Sequence, residues 1–169
     1  PPVRLRHPVT MDRGEIRILR GHSLVVSGCT YSPDGSRLLS ASWDTTMREW
    51  DALSGKELRR FKGHSDWVNA CAYSPDGLRV LSASDDNTLR EWDASSGREL
   101  RRFEGHSDSV NACAYSPDGL RVLSASDDNT LREWDASSGR ELRRFEGHSS
   151  WVNACAYSPD GLRVLSASD

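Results

Sequence analysis

Histidine, serine and aspartate recur together in this chain at fixed spacing, and in combination these residue types can carry out acyl-transfer chemistry. They stand as His22, Ser40 and Asp44, as His64, Ser82 and Asp86, and as His106, Ser124 and Asp128. Hydrolysis by such a set needs one activated nucleophile, a base to take its proton and an oxyanion hole. Here the set appears three times, each time followed by a tryptophan: Trp50, Trp92 and Trp134. A catalytic centre has no reason to be copied with its neighbours, whereas buried indole and imidazole N–H groups need polar partners wherever they occur. The sets are therefore expected to hold structure together, with no catalytic residue among them. The sequence also lacks a phosphate-binding glycine loop and a unique polar cluster, so neither an enzyme nor a cofactor is expected.

Four cysteines raise the question of disulfides or a metal. Cys29, Cys71, Cys113 and Cys155 are one repeat position counted four times. Each lies in an apolar stretch, as in Val68-Asn69-Ala70-Cys71-Ala72-Tyr73, without the close CxxC pairing of zinc sites. They are expected to be small buried thiols, reduced and binding no metal, which fits a reducing, cytoplasmic compartment. The net charge of −3 offers no basic stripe for nucleic acid. No apolar run is long enough to span a membrane, and 1–20 does not have the apolar segment of a signal peptide. Pro1 leaves an upstream segment open.

The spacing that carries these residues is 42. Gly21-His22 recurs as Gly63-His64, Gly105-His106 and Gly147-His148, and 63–102 differs from 105–144 only at Trp67 against Ser109. Such a period marks stacked units, none able to bury its apolar face alone. Within one unit, turn signals come about every ten residues, the spacing of short strands. Ser74-Pro75-Asp76-Gly77, Asp85-Asp86-Asn87-Thr88 and Ala94-Ser95-Ser96-Gly97 are the turns. They bound four strands, a (Val68–Tyr73), b (Leu78–Ser84), c (Leu89–Trp92) and d (Glu99–Phe103). No apolar helical period is sustained. Strand a, with Ala70, Cys71 and Ala72, is expected to be buried on both faces, and strand d, with Arg101 and Arg102, to guard an outer edge with charge. That gradient describes an all-β propeller blade of four antiparallel strands.

The chain closely resembles the WD40 repeat family through Gly63-His64, Ser74-Pro75-Asp76-Gly77, Ser82-Ala83-Ser84, Asp86 and Trp92-Asp93. The near-identical copies are similar to recently amplified propellers of bacterial and fungal regulatory proteins. The resemblance implies hydrogen-bonded structural tetrads: His22, Ser40, Asp44, Trp50; His64, Ser82, Asp86, Trp92; and His106, Ser124, Asp128, Trp134. Full repeats then cover 21–62, 63–104 and 105–146, all within one propeller domain over 1–169. Residues 1–20 supply a degenerate half-blade (Val3–Arg6 as c, Glu15–Leu19 as d), and 147–169 a half-blade with Trp151–Tyr157 as a and Leu162–Ser168 as b. The ring is thus opened at a b–c turn. Pro2 and Pro8 stand where the tetrad Asp and Trp of the first half-blade would be, leaving His148 and Ser166 without those partners.

Unpaired strand edges have to be joined. Joining within one chain gives four blades with wide wedges between them, which residues as small as Ala70, Cys71 and Ala72 fill poorly. Joining two chains as a homodimer gives eight narrow wedges, which fit better. A fragment of a longer propeller stays open as a third possibility.

The remaining information lies where the copies disagree. One place is the d–a turn, with Leu24-Val25, Asp66-Trp67, Asp108-Ser109 and Ser150-Trp151; the other is the b–c turn, with Trp43 against Asp85, Asp127 and Asp169. Strand alternation puts both turns on one face, called the top here. Ser27, Gly28 and Thr30 also drift in the first repeat, as a terminal unit diverges. Exposed indoles favour a binding surface, although Trp67 and Trp151 could instead pack against neighbouring blades. The expected function is a non-enzymatic scaffold whose top face binds a protein or peptide, with Trp43, Asp66, Trp67, Asp85, Asp108, Ser109, Asp127, Ser150 and Trp151 as binding residues. Carboxylates beside indoles point to a cationic partner. The alternative is a structural half-propeller that assembles with itself and has no dedicated ligand.

Overall fold

The computed structural model describes residues 3–6 and 16–169. All sixteen elements are strands: β1 (Val3–Arg6), β2 (Ile16–Leu19), β3 (Val26–Tyr31), β4 (Arg37–Ser42), β5 (Thr46–Asp51), β6 (Glu57–Lys62), β7 (Val68–Tyr73), β8 (Arg79–Ser84), β9 (Leu89–Asp93), β10 (Glu99–Phe103), β11 (Val110–Tyr115), β12 (Arg121–Ser126), β13 (Leu131–Asp135), β14 (Glu141–Phe145), β15 (Val152–Tyr157) and β16 (Val164–Ser168). They form three four-stranded antiparallel sheets, β3–β6, β7–β10 and β11–β14, flanked by the two-stranded sheets β1–β2 and β15–β16. Pro2 and Pro8 lie outside the described residues.

The turns work as their chemistry dictates. In the β7–β8 turn, Gly77 N–H donates to Ser74 O at 2.8 Å, and Asp76 Oδ1 accepts from Ser74 Oγ and from Leu78 N–H. Gly77 takes φ +69°, a left-handed conformation that glycine adopts without penalty. The β7–β8 ladder skips a residue between Val68 and Ala70, so Asn69 sits on a bulge and its side chain is turned toward the next blade.

The apolar cores lie between blades, not within them. Leu39, Ala41, Met47 and Phe61 of one sheet pack on Val68, Val80, Trp92 and Ala94 of the next. Leu81, Ala83, Leu89 and Phe103 repeat the arrangement against Val110, Val122, Trp134 and Ala136. The two inner strands of a blade, β8 and β9, are thus buried along nearly their whole length. Strand a is not the most buried strand, contrary to expectation: β7 is only half-buried after Val68, because it lines an axial opening. The cysteines follow it, with Cys71, Cys113 and Cys155 half-buried and Cys29 exposed. No thiol is paired, and burial pushes the Cys155 thiol up to about 12.

Strand d is also more than a charged guard. Arg101 Nη1 donates to the buried carboxylate of Glu91 at 2.8 Å and to Ala136 O of the next blade. Arg79 holds the other Glu91 oxygen at 3.1 Å, and Tyr115 OH from the next blade donates to it at 2.7 Å. Glu49 is held the same way by Arg37, Arg59 and Tyr73. The first two blade-to-blade contacts therefore enclose a carboxylate between two arginines and a tyrosine, and at the third Glu133 is held by Arg121 and Tyr157. Removing a buried carboxylate strands its cations, which typically costs about 3–5 kcal/mol, whereas exposed pairs contribute about 0–1 kcal/mol. Glu91→Ala should accordingly lower the urea-unfolding free energy by about 3–5 kcal/mol. Glu104→Ala, whose Arg102 pair is mostly exposed, should cost about 1 kcal/mol or less; equal losses would contradict this account.

Candidate functional site

The recurring polar residues meet in each complete blade. His64 Nδ1 lies 2.7 Å from Asp86 Oδ2, His64 Nε2 lies 2.6 Å from Ser82 Oγ, and Trp92 Nε1 donates to that same oxygen at 2.8 Å. His22 with Asp44, Ser40 and Trp50, and His106 with Asp128, Ser124 and Trp134, repeat these contacts within 0.1 Å at most links. A carboxylate only accepts, so Nδ1 carries the proton. Neutral Nε2 then accepts from the serine hydroxyl, whose oxygen accepts the indole N–H. The connectivity is that of a hydrolase triad, but Ser82 is fully buried and its oxygen is engaged by Trp92. In the last half-blade, His148 Nε2 keeps its 2.8 Å contact to Ser166 Oγ.

Three further residues complete each cluster, and none was given a part in it from the sequence. Arg90 bridges Asp86 at 3.0 Å and Glu99 at 2.8 Å while nearly buried. Thr88 Oγ1 donates to Asp86 Oδ1. Gly63 lies so close to this arginine that an added Cβ would stand 2.8 Å from Arg90 Nη1 and 3.0 Å from the Trp92 ring. The glycine before each tetrad histidine makes room for the guanidinium. The arginine was legible only as a charge inside an apolar strand, which by pattern alone looks like an exposed position.

Titration follows from burial and bonding. Burial pushes His22, His64 and His106 down, outweighing the pull of their aspartates. Burial alone would raise Asp44 and Asp128, but hydrogen bonds from Thr46 and His22, and from Thr130 and His106, bring both down to about 2.

The b–c and d–a turns share the top face: Trp43 N–H donates to Val25 O, Asp85 N–H to Trp67 O and Asp127 N–H to Ser109 O, at 2.9–3.0 Å. Trp43 and Trp67 stack across two blades, with ring centroids 4.2 Å apart and planes 7° apart. Asp85 Oδ1 accepts from Asn69 at 2.6 Å, Asp127 Oδ1 from Asn111 at 2.5 Å and Asp169 Oδ1 from Asn153 at 3.0 Å. The first repeat has Ser27 in place of asparagine and Trp43 in place of aspartate, and Ser27 Oγ donates to Val68 O of the next blade. Asp66 and Asp108 are exposed, each accepting the N–H of the residue that follows, Trp67 and Ser109. Ser150 is half-buried beside the exposed Trp151, and its carbonyl accepts from Ser168 Oγ.

On the opposite face the axial opening encloses about 430 Å³, lined in part by Tyr73, Tyr115 and Tyr157. Their hydroxyls are committed to Glu49, Glu91 and Glu133. Among the described residues no three histidine, cysteine or acidic side chains are placed to hold a metal, and no helix is long and apolar enough to cross a membrane.

Known proteins share this construction. The sequence profile of the "WD domain, G-beta repeat" family matches 13–51, 55–93, 97–135 and 139–169. The Small ribosomal subunit protein RACK1 of Saccharomyces cerevisiae is 49% identical over 41 residues, 24% of this chain and 13% of that protein. MST50-interacting protein 11 of Pyricularia oryzae is 54% identical over 39 residues, 23% of this chain and 12% of that protein. The matched stretches thus span about an eighth of these relatives. The solved structure of U3-55K superposes with a TM-score of 0.80 at 30% identity, over 82% of this chain and 44% of that one.

The tetrads set an acid limit on stability. A histidine whose folded pKa is depressed binds its proton more readily when unfolded, so stability falls as pH drops below the ordinary value of 6.5. The aspartates add a second loss below 3.8, their ordinary value. The urea midpoint should therefore fall between pH 7 and pH 5, and a flat profile there would contradict the protonation assigned. Trp92→Ala should cost about 3–5 kcal/mol as a large core truncation, measured by the same unfolding.

Proposed function

This chain belongs to the WD40-repeat family, whose members generally act as non-enzymatic protein-interaction scaffolds, and we propose that its top face binds a cationic protein or peptide segment. The observation that carries this is that the copies from 63 to 169 differ only at Asp66, Asp108 and Ser150 and at Trp67, Ser109 and Trp151, all in d–a turns on one face. Exposed Trp67 and Trp151 stand there with Trp43, Asp66, Asp85, Asp108, Ser109, Asp127, Ser150 and Asp169. Indoles supply cation–π contacts of about 0.5–2 kcal/mol each, and the carboxylates supply attraction with few basic residues in the same loops. The free thiols suit a reducing compartment such as the cytoplasm. Cationic peptide pools should bind better than anionic ones and lose affinity as salt rises, screening acting beyond roughly 8 Å at physiological strength. Titration of both pools against wild type and a Trp67→Ala/Trp151→Ala variant checks this. Equal binding of the anionic pool, or no effect of losing both tryptophans, would end it.

We further propose that two copies close an eight-bladed ring, each junction blade taking β15–β16 from one chain and β1–β2 from the other. Leu165 supports this: it is 71% exposed, whereas its counterparts Leu39, Leu81 and Leu123 are fully buried against the next blade. Burying one such leucine contributes about 1.5–3 kcal/mol. Leu19, by contrast, already packs on Leu38 and Trp50, so the β1–β2 hairpin covers the first blade and presents its other side outward. Native mass measurement should give a dimer at micromolar concentration that Leu165→Lys splits. A compact wild-type monomer would contradict it.

A further inference from the structure

Neighbouring blades meet on the top face at three junctions that share a backbone frame but are filled differently. At each, the b–c turn of one blade faces the d–a turn of the next. In the first, Trp43 and Trp67 stack at 4.2 Å, each indole covering one face of the other. In the second, Asn69 ties Asp85 to Val110 O at 2.6 and 3.1 Å, and the residue before Val110 is the small Ser109. In the third, Asn111 ties Asp127 to Val152 O at 2.5 and 3.1 Å, and the residue before Val152 is Trp151.

The 42-residue repeat therefore sets Trp151 against Asp127 as Trp67 is set against Trp43. One property separates this junction from the others, and a second is shared with Asp85 of the second junction. Trp151 is 56% exposed, and among the described residues no aromatic ring or cation stacks on it. Asp127 gives one oxygen to Asn111 and leaves Oδ2 without a hydrogen bond or ion pair among the described residues, unlike the adjacent Asp128, which is bound to His106 and Arg132. A carboxylate and an indole at the positions equivalent to the stacked Trp43 and Trp67 match an alkylammonium or guanidinium group, which forms an ion pair with one and a cation–π contact with the other.

We infer that the junction of Trp151 with Asp127 is the subsite that takes a lysine or arginine side chain, and that the Trp43–Trp67 stack, two junctions away, stiffens the rim. This rests on the proposal that the top face binds cationic segments, and names the place and the group. It also assigns the two exposed tryptophans different roles, which a double variant would hide.

The test titrates a fluorescein-labelled peptide of alternating glycine and lysine, and its glutamate counterpart, into the full chain by fluorescence anisotropy. Single variants Trp151→Ala and Asp127→Asn should each weaken the lysine peptide about five- to thirtyfold. Trp151→Phe should recover part of the loss, and Trp67→Ala should weaken binding at least threefold less than Trp151→Ala. Urea unfolding checks each variant's fold, with Trp67→Ala expected to shift the midpoint more than Trp151→Ala. If the lysine peptide is preferred but Trp67→Ala is the more damaging change, the subsite is wrong while the cationic surface stands. If neither peptide is preferred, both proposals fall.

Discussion

The Ser82 hydroxyl accepts the Trp92 indole N–H at 2.8 Å and faces His64 Nε2 at 2.6 Å, and this double engagement constrains the whole blade. It requires a neutral histidine with its proton on Nδ1, which in turn requires an ionised Asp86 to receive it. Asp86 sits in the b–c turn, His64 in the d–a turn, Ser82 on β8 and Trp92 on β9, so one proton-ordered chain ties two turns to two strands. Arg90 then balances the carboxylate, and Gly63 admits the guanidinium. Buried polar groups are tolerable only when every member is satisfied, and this arrangement satisfies them in series.

Between blades the constraint is different. Leu39 and Leu81 are buried only because the next blade arrives, and Glu49 and Glu91 are neutralised by Arg59 and Arg101 on the outermost strand, which also reach the next blade. Apolar cores and charge clusters alike are shared property of neighbours. The first repeat keeps the same contacts with substitutions such as Leu38 for Val80 and Met47 for Leu89. The top-face d–a turns escape both sets of contacts, and there alone the copies from 63 to 169 diverge.

The strands were legible to within two residues, because Ser-Pro-Asp-Gly and Asp-Asn-Thr turns punctuate them and the repeat supplies independent copies. The meeting of His64, Ser82, Asp86 and Trp92 came from likeness to a family and not from spacing, since residues 18 to 22 apart meet only once antiparallel pairing is known. Arg90 and Glu91 were hidden because a charge in a strand looks like a solvent position until its partners are placed. The different states of Trp67 and Trp151 were equally hidden: both are tryptophan at one repeat position, and what separates them is whether Trp43 or an aspartate stands on the preceding blade. A single exchange two strands away decides which indole is free.

The account depends most on the direction of the proton chain through Ser82. Long-range nitrogen–proton NMR of the imidazole rings at neutral pH reads it directly. His22, His64 and His106 should each show a protonated Nδ1 and a bare Nε2 shielded from exchange with water. Rings protonated on Nε2, or on both nitrogens, would leave the serine hydroxyl without its acceptor and contradict the account.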